Sequence, residues 1–310
     1  SIQKTNSNNN LIFSSKSIII ATGAKPKEIA NLSVDGNVVW NYRNALRPKK
    51  IPKKLIIIGS GAIGMEFASF YNSIGTEVFV LEMLDRILPV EDLEISKFAM
   101  NKFKQKGIKF FLNSNFEIIE KAQDKISISV VQNGKKTNID APHILIAIGV
   151  KGCTEGLGLD LIGIDIHSNS ILTNEYCETN IKGVYAIGDV TTSPCLAHKA
   201  SHQGITVAEI IAGKKINKIL KKEDIPGCTY SNPQIASIGL TEEKARNLGF
   251  ELNIGNFPFR ANGKALALGE EDGFIKTIFD KKTGELLGAH MVGAEVTELL
   301  STYILGKGLE

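Results

Sequence analysis

No run of apolar residues in this chain approaches the ~20 needed to span a bilayer, so the sequence offers no membrane-spanning helix. The opening residues SIQKTNSNNN hold no Met, no basic cluster and no apolar stretch. Nothing there reads as a secretory signal, and a cytoplasmic protein is expected. Cysteine is scarce as well. Cys153, Cys177, Cys195 and Cys228 lie 24, 18 and 33 residues apart, so the chain contains neither a CxxC nor a CxxxxC pair. That spacing encodes no zinc knuckle and no local redox disulfide; four reduced thiols packed as small apolar groups are expected, and no metal. An excess of one charge is also lacking, since 36 Lys and Arg face 33 Asp and Glu. A net charge of +3 gives no reason to expect nucleic acid or an anionic membrane as the main partner. Lysines cluster at 49–54 (KKIPKK) and 214–222 (KKINKILKK), beside turn residues, where they read as solvated linkers.

What is present has the texture of a globular α/β protein. A length of 310 residues suggests two or three domains, and 43% hydrophobic with 22% charged residues is enough for real cores. Apolar strands alternate with amphipathic helices, the signature of parallel α/β architecture. Lys16–Ala21 (KSIIIA) reads as a buried strand. A second apolar run starts at Leu55, and the helix after it is predicted to bury Ile63, Phe67, Phe70, Tyr71 and Ile74, stop at Gly75 and lead into the strand Glu77–Leu81. A helix over 92–106 turns Leu93, Ile95, Phe98, Ala99 and Phe103 inward. Strands are predicted at 108–112, 116–120, 126–131 and 143–148, the middle ones joined at the hairpin signal Asn133-Gly134. The strand 183–187 runs into Gly188-Asp189, and Ala197–Ala212 reads as a helix. From residue 225 the texture changes. Thr241 caps a short helix ending at Gly249, and Phe274–Phe279 pairs with Glu285–Val292 as a hairpin.

Gly59-Ser60-Gly61-Ala62-Ile63-Gly64 matches GxGxxG between a strand and a helix, and the next strand ends in an acid, Glu82, 21 residues after Gly61. Gly59 permits the tight turn, Gly61 lets a pyrophosphate approach the backbone, and Gly64 lets helix and strand pack closely. The helix N-terminus supplies unpaired N–H groups and partial positive charge. Glu82 can accept hydrogen bonds from ribose hydroxyls and would repel a 2′-phosphate, which favours NAD over NADP. The alternative is a glycine-rich turn beside a salt-bridging glutamate. Arg86, which could accommodate a 2′-phosphate, is expected to face Glu82 or solvent instead.

Several segments together resemble the pyridine nucleotide–disulfide oxidoreductases. They are GSGAIGMEFA at 59–68, Ala21-Thr22-Gly23 after an apolar strand, Ile187-Gly188-Asp189 and LAHKASHQG at 196–204. More narrowly, 81–89 (LEMLDRILP) and 288–300 (GAHMVGAEVTELL) resemble the branch of that family that acts on dihydrolipoyl groups. The resemblance implies two Rossmann-like domains for FAD and NAD, the FAD domain incomplete and split in sequence, plus an α+β dimerisation domain. Residues 1–50 would belong to the FAD domain, 51–150 to the NAD domain, 151–222 to the return segment of the FAD domain and 223–310 to the dimerisation domain. Ala21, Thr22 and Gly23 would touch FAD, and Gly188-Asp189 would hold its ribityl chain. Cys195, Leu196, Ala197 and His198 would lie against the isoalloxazine. Phe116 and Gly149 would line the NAD cleft with the glycine loop, and Glu66 would point toward the nicotinamide. On its own residues, Glu66 reads as an exposed helix glutamate and His290 as a strand histidine, while Ile187-Gly188-Asp189 reads as a strand running into a polar turn, with an N-cap Asp as the alternative. His143 and His167 carry no constellation. His198 and His202 sit one turn apart, but no acid or thiol completes a ligand set.

The sequence also departs from the family. The glycine-rich turn for the ADP part of FAD, the CxxxxC pair and the His-x-x-Pro acid–base segment are all missing, so no catalytic residue can be named. Val150-Lys151-Gly152 stands where many members carry Arg-Pro. A chain cut at both ends is therefore expected, inactive alone. The complete protein would be a homodimer oxidising a dihydrolipoyl group on a lipoyl-bearing subunit of a 2-oxo acid dehydrogenase complex and reducing NAD⁺ through FAD. A glutathione or mercuric reductase type and a non-catalytic NAD-binding protein are the alternatives.

Overall fold

The structure, a computed structural model, describes residues 2–3, 10–11, 13–216 and 219–309. Most of the first ten residues, Lys218 of the second lysine cluster and Glu310 lie outside the described residues. The chain forms two compact units, 1–25 with 150–222, and 26–149 with 223–310.

The larger unit is built on a five-stranded parallel sheet: β1 (Val39–Trp40), β2 (Lys54–Ile58), β3 (Glu77–Leu81), β4 (Lys109–Phe111) and, further along the chain, His143–Ile146. Between β2 and β3 lies helix α1 (Ala62–Ser73), and between β3 and β4 lies α2 (Leu93–Gln105). The antiparallel strands β5 (Ser114–Lys121), β6 (Ile126–Gln132) and β7 (Lys135–Ala141) precede β8, the His143–Ile146 strand. The parallel order is β1-β8-β2-β3-β4. Leu55, Ile56, Ile57 and Ile58 are all buried, because both faces of the sheet are covered. The chain leaves β2 toward β3, while β8 joins on the opposite side. Their neighbouring carboxyl ends form the topological switch point where doubly wound sheets bind ligands.

Three expectations change here. The turn Asn133-Gly134 joins β6 to β7, and not the two middle predicted strands, 116–120 and 126–131, to each other. Strand β7 (KKTNIDA) escaped notice because only Ile139 and Ala141 are buried on an otherwise polar edge strand. On α1, Tyr71 is buried and its hydroxyl donates to Ala45 O at 2.6 Å, yet Phe70 is 54% exposed and Ile74 40%. The helix meets the sheet through the small residues Gly64 and Ala68 with Met65, which rotates the buried stripe away from the bulkier side chains. On α2, Ile95, Ala99 and Phe103 are buried, Phe98 is half-buried and Leu93 is exposed.

The same unit ends in a five-stranded antiparallel sheet of β9 (Gly227–Thr229), β10 (Gln234–Gly239), β11 (Leu252–Pro258), β12 (Phe274–Asp280) and β13 (Leu286–Gly293), in the order β9-β10-β13-β12-β11. Helix α3 (Glu242–Asn247) follows β10, and α4 (Val296–Leu309) follows β13. All eight residues of β13 are buried. Ala289 and Met291 pack against Val296 and Leu300 of α4, while Val292 with Ile235 joins the core of the parallel sheet.

The smaller unit holds the strand Ile18–Ile20, paired in parallel with Val184–Ala186, and the helix Ala197–Ile211. Ile20 is buried as expected, but Ile18 is 53% and Ile19 42% exposed. Among the described residues this strand has one partner, so only part of its surface is covered. All four cysteines are free thiols, Cys177 buried and the others half-buried. Among the described residues no helix is long and apolar enough to cross a membrane.

Candidate nucleotide sites

Gly59, at the end of β2, has a φ of +98°, and a Cβ there would stand 2.6 Å from Ala147 O. A Cβ on Gly64 would stand 2.0 Å from Gly59 O, so both positions exclude any side chain. Gly61 differs: a Cβ there would meet nothing within 4 Å. It is the N-cap of α1 and gives the helix no side-chain cap, and Ala62 and Ile63 follow as the helix's first residues. The first N–H groups of α1 are thus left facing open space, as an anion site requires.

Glu82 closes the other side of the loop. Its Oε2 accepts from Ser60 N at 2.9 Å and from Ser60 Oγ at 2.7 Å, and its Oε1 accepts from Leu84 N at 3.0 Å. Three donors fix the carboxylate, and a carboxylate has about four lone-pair positions, so capacity remains on Oε1. Ser60 is fully buried, which makes loop and strand end one rigid piece. Arg86 does not face Glu82: it donates to Pro89 O and pairs with Glu243 at 3.6 Å. The attraction of Glu243 draws the guanidinium toward α3.

Glu66 on α1 is not the freely exposed helix residue its sequence neighbourhood suggested. It is half-buried, and its Oε1 accepts from Tyr230 N at 2.8 Å. Burial pushes its carboxyl above the usual range, and the Tyr230 N–H pulls the other way. Gly149 has a φ of +98° and open space around its Cα, and its carbonyl accepts from Lys27 N. Phe116 is on β5 opposite Val130 and leans on the core that contains Ile56 and Ile144.

In the smaller unit, Ala21 and Thr22 are exposed beside the half-buried Gly23. The Thr22 hydroxyl donates to Cys153 O at 2.7 Å, and Cys153 N donates to Gly23 O at 2.8 Å. Gly188 adopts φ +70° at the head of a 3₁₀ turn, Gly188–Val190, with Asp189 half-buried inside it. Asp189 is not an N-cap; that position is Ile187. Cys195 Sγ lies 4.0 Å from Asp189 O, and the helix Ala197–Ile211 starts at Leu196 without a side-chain cap. Ala197 and His198 are exposed on its first turn. An uncapped helix start facing a glycine turn with an acid suits the polar part of a dinucleotide.

Two residues here escaped the sequence reading. Lys199 is buried with its ammonium on the 188–192 turn, and Gln203 Oε1 accepts from Gly188 N at 2.8 Å. Their spacing of four was the available signal, since it puts both on one helix face. His290 is buried, with Nε2 2.9 Å from Leu240 O. Among the described residues no cluster of three or more His, Cys, Asp or Glu could hold a metal.

A family model described as pyridine nucleotide-disulphide oxidoreductase matches residues 1–204, and the model of that family's dimerisation domain matches 225–306. Proteins named dihydrolipoyl dehydrogenase are similar to the chain. The one from Rhizobium etli is 48% identical over 96% of this chain and 62% of its own length. The one from Zymomonas mobilis is 49% identical over 96% and 64%. The chain therefore spans somewhat less than two thirds of these relatives. Among solved structures, LpdA from Mycobacterium tuberculosis superposes with a TM-score of 0.85 at 25% identity, covering 94% of this chain and 63% of its own. The HOCl-induced flavoprotein disulfide reductase RclA from Escherichia coli gives 0.81 at 25% identity, covering 94% and 66%.

Proposed function

Because the chain belongs to the pyridine nucleotide-disulphide oxidoreductase family, we propose that it carries the nucleotide-binding and dimerisation elements of a dihydrolipoyl dehydrogenase. The overall reaction is dihydrolipoamide + NAD⁺ → lipoamide + NADH + H⁺. The single observation that carries the cofactor choice is the Glu82 carboxylate fixed by Ser60 at the mouth of the glycine loop. The dihydrolipoyl substrate rests on the names of relatives 48–49% identical over 96% of the chain.

The residues present fit the two nucleotides. Gly59, Ser60, Gly61, Ala62, Ile63 and Gly64 would hold the NAD pyrophosphate on the N–H groups of α1. Glu82 would accept from the adenosine ribose, where a 2′-phosphate would be repelled at short range. Phe116 and Gly149 would border that cleft, and Glu66, held by Tyr230 N, would sit on the nicotinamide side. Ala21, Thr22 and Gly23 would meet FAD, Gly188 and Asp189 its ribityl hydroxyls, and Cys195, Leu196, Ala197 and His198 its ring system. Bound FAD supplies the hydride relay between thiols and nicotinamide. The chain's own part is to bind, orient and keep water from the two nucleotides.

The complete protein would act as a cytoplasmic homodimer through residues 223–310 and serve the lipoyl-bearing subunit of a 2-oxo acid dehydrogenase complex. Residues 151–222 would return to the FAD domain begun at the N-terminus; the boundary expected at 50 would move to about 25, because Val39–Trp40 is a strand of the parallel sheet that would form the NAD domain. The test is steady-state turnover of the full-length protein. Dihydrolipoamide-dependent reduction of NAD⁺ is expected. Turnover only of glutathione disulfide or mercuric ion with NADPH would assign it to a sibling reductase. Tight NADH binding without turnover of any of these would make it a binding protein.

A further inference from the structure

Lys199 is 3% exposed. Taking an ammonium out of water costs several kcal/mol unless its donors are satisfied and its charge is compensated. The donors are satisfied: Nζ donates to Thr192 O at 2.6 Å, to Thr191 Oγ1 at 3.0 Å and, more weakly, to Gly188 O at 3.4 Å. The charge is not. All three acceptors are neutral, and among the described residues Lys199 has no ion pair within 4.0 Å. Burial pulls the Lys199 ammonium below its ordinary range, with the charges of Cys195, Asp189 and Cys177 opposing.

These bonds form half of a clamp. Gln203, one turn along the same helix face, takes the N–H of Gly188, while Lys199 takes the carbonyls of Gly188 and Thr192. Thr191 ties the turn internally, its Oγ1 donating to Gly188 O at 2.7 Å. A Cβ on Gly188 would press to 3.2 Å from the Ala200 Cβ, so the turn lies directly on the helix. Asp189, in the middle of the clamped segment, has its place set by both residues. Gln203 achieves its half with a neutral amide. Holding a backbone turn therefore does not require a charge, and among the described residues the buried ammonium has no carboxylate within 4.0 Å to balance it.

We propose that Lys199 is a positioning residue of the flavin site: it fixes the Gly188–Thr192 turn, and its buried charge, without an ion pair among the described residues, favours the reduced, anionic form of FAD over the oxidised form. The proposal rests on the reading that Gly188-Asp189 and 195–198 meet the flavin. Two electrons and one proton convert FAD to the anion FADH⁻, so reduction adds one negative charge to the site. A fixed positive charge in a low-dielectric surround binds that state preferentially.

The experiment compares full-length wild type with Lys199→Met, Lys199→Arg and Gln203→Leu, reading FAD content, thermal melting and the two-electron flavin potential by dithionite titration against a redox dye. Lys199→Met should weaken the binding of FADH⁻ relative to FAD by at least about tenfold, a fall of about 30 mV in potential. Lys199→Arg should keep the wild-type potential, and Gln203→Leu should loosen FAD without moving it. If Lys199→Met does not hold FAD, Lys199→Gln, whose amide can still donate to Thr192 O, carries the same comparison. An unchanged potential in the neutral variant with FAD bound overturns the proposal while leaving the family reading intact. Wild-type protein that binds no FAD overturns the reading beneath it.

Discussion

A methyl group added at Gly61 and one added at Gly64 meet different surroundings, and the difference separates folding from binding. At Gly64 the Cβ would lie 2.0 Å from Gly59 O, so backbone must move; overpacking of this kind costs about 1–3 kcal/mol. At Gly61 the Cβ has open space and φ is −68°, so Gly61→Ala should melt within about 1 kcal/mol of wild type. It should nonetheless lose NADH affinity, because the methyl occupies the approach of the pyrophosphate. Calorimetry and NADH titration on the two variants check this. Equal affinity for NADH in Gly61→Ala would place the nucleotide elsewhere. Glu91 gives a second residue-level expectation. Burial pushes its carboxyl from 4.5 up to about 7, with Ser237 and Lys244 opposing, and its Oε2 has no hydrogen-bond partner among the described residues. The folded state then holds a proton that the unfolded chain has released. Stability from this group is full below pH 4.5 and is lost as pH rises through 7. Glu91→Gln should match wild type near pH 5 and exceed it at pH 8, by on the order of 3 kcal/mol at most. Melting curves across that range decide it, and parallel curves would refute the buried titration.

Among the elements, the join between α2 and the antiparallel sheet contains one deeply buried cation, Lys276, beside the outer pair of Lys102 with Asp272. Lys276 on β12 lies directly across from His290 on β13, which lies across from Ser237 on β10, so the three form one row on one sheet face. From that row Lys276 Nζ reaches Asp92 at 3.0 Å, Glu94 at 2.7 Å and Glu242 at 2.7 Å. It is 2% exposed, and although burial opposes its charge, the three carboxylates hold its ammonium well above the ordinary range. Lys276→Met would leave Asp92 buried without its counter-charge, and breaking such a pair costs about 3–5 kcal/mol. The expected outcome is a large fall in melting temperature for Lys276→Met; a change under about 1 kcal/mol would show the cluster to be energetically idle. None of this was legible in the sequence, because the partners are separated by up to 184 positions. What was legible had local causes. The glycine loop, the N-cap Thr241 whose hydroxyl accepts from Lys244 N, and the hairpin ending in β13 each follow from short-range chemistry. Strands β9, β10 and β11 were not foreseen, since Gly227–Thr229 is too short to show a period and Leu252–Pro258 is largely exposed. The face of α1 was misjudged because bulk, rather than the close approach allowed by Gly64 and Ala68, guided the choice.

On the scale of the whole molecule, the parallel sheet and the antiparallel sheet form one compact unit, and the segments 1–25 and 150–222 form the other. The split follows the chemistry proposed for them: the first carries the glycine loop with Glu82, the second the clamped turn with Asp189. The candidate NAD residues were readable because a dinucleotide loop needs residues adjacent in sequence. The clamp of Lys199 and Gln203 was not, because its counterpart is backbone. On the proposed reading, Glu82 locked to Ser60 makes this an NAD site. Titration of the full-length protein with NADH and NADPH tests it most directly. Binding of NADH tighter by on the order of 10²-fold, about 2.7 kcal/mol, is expected; NADPH bound equally well or better would contradict it.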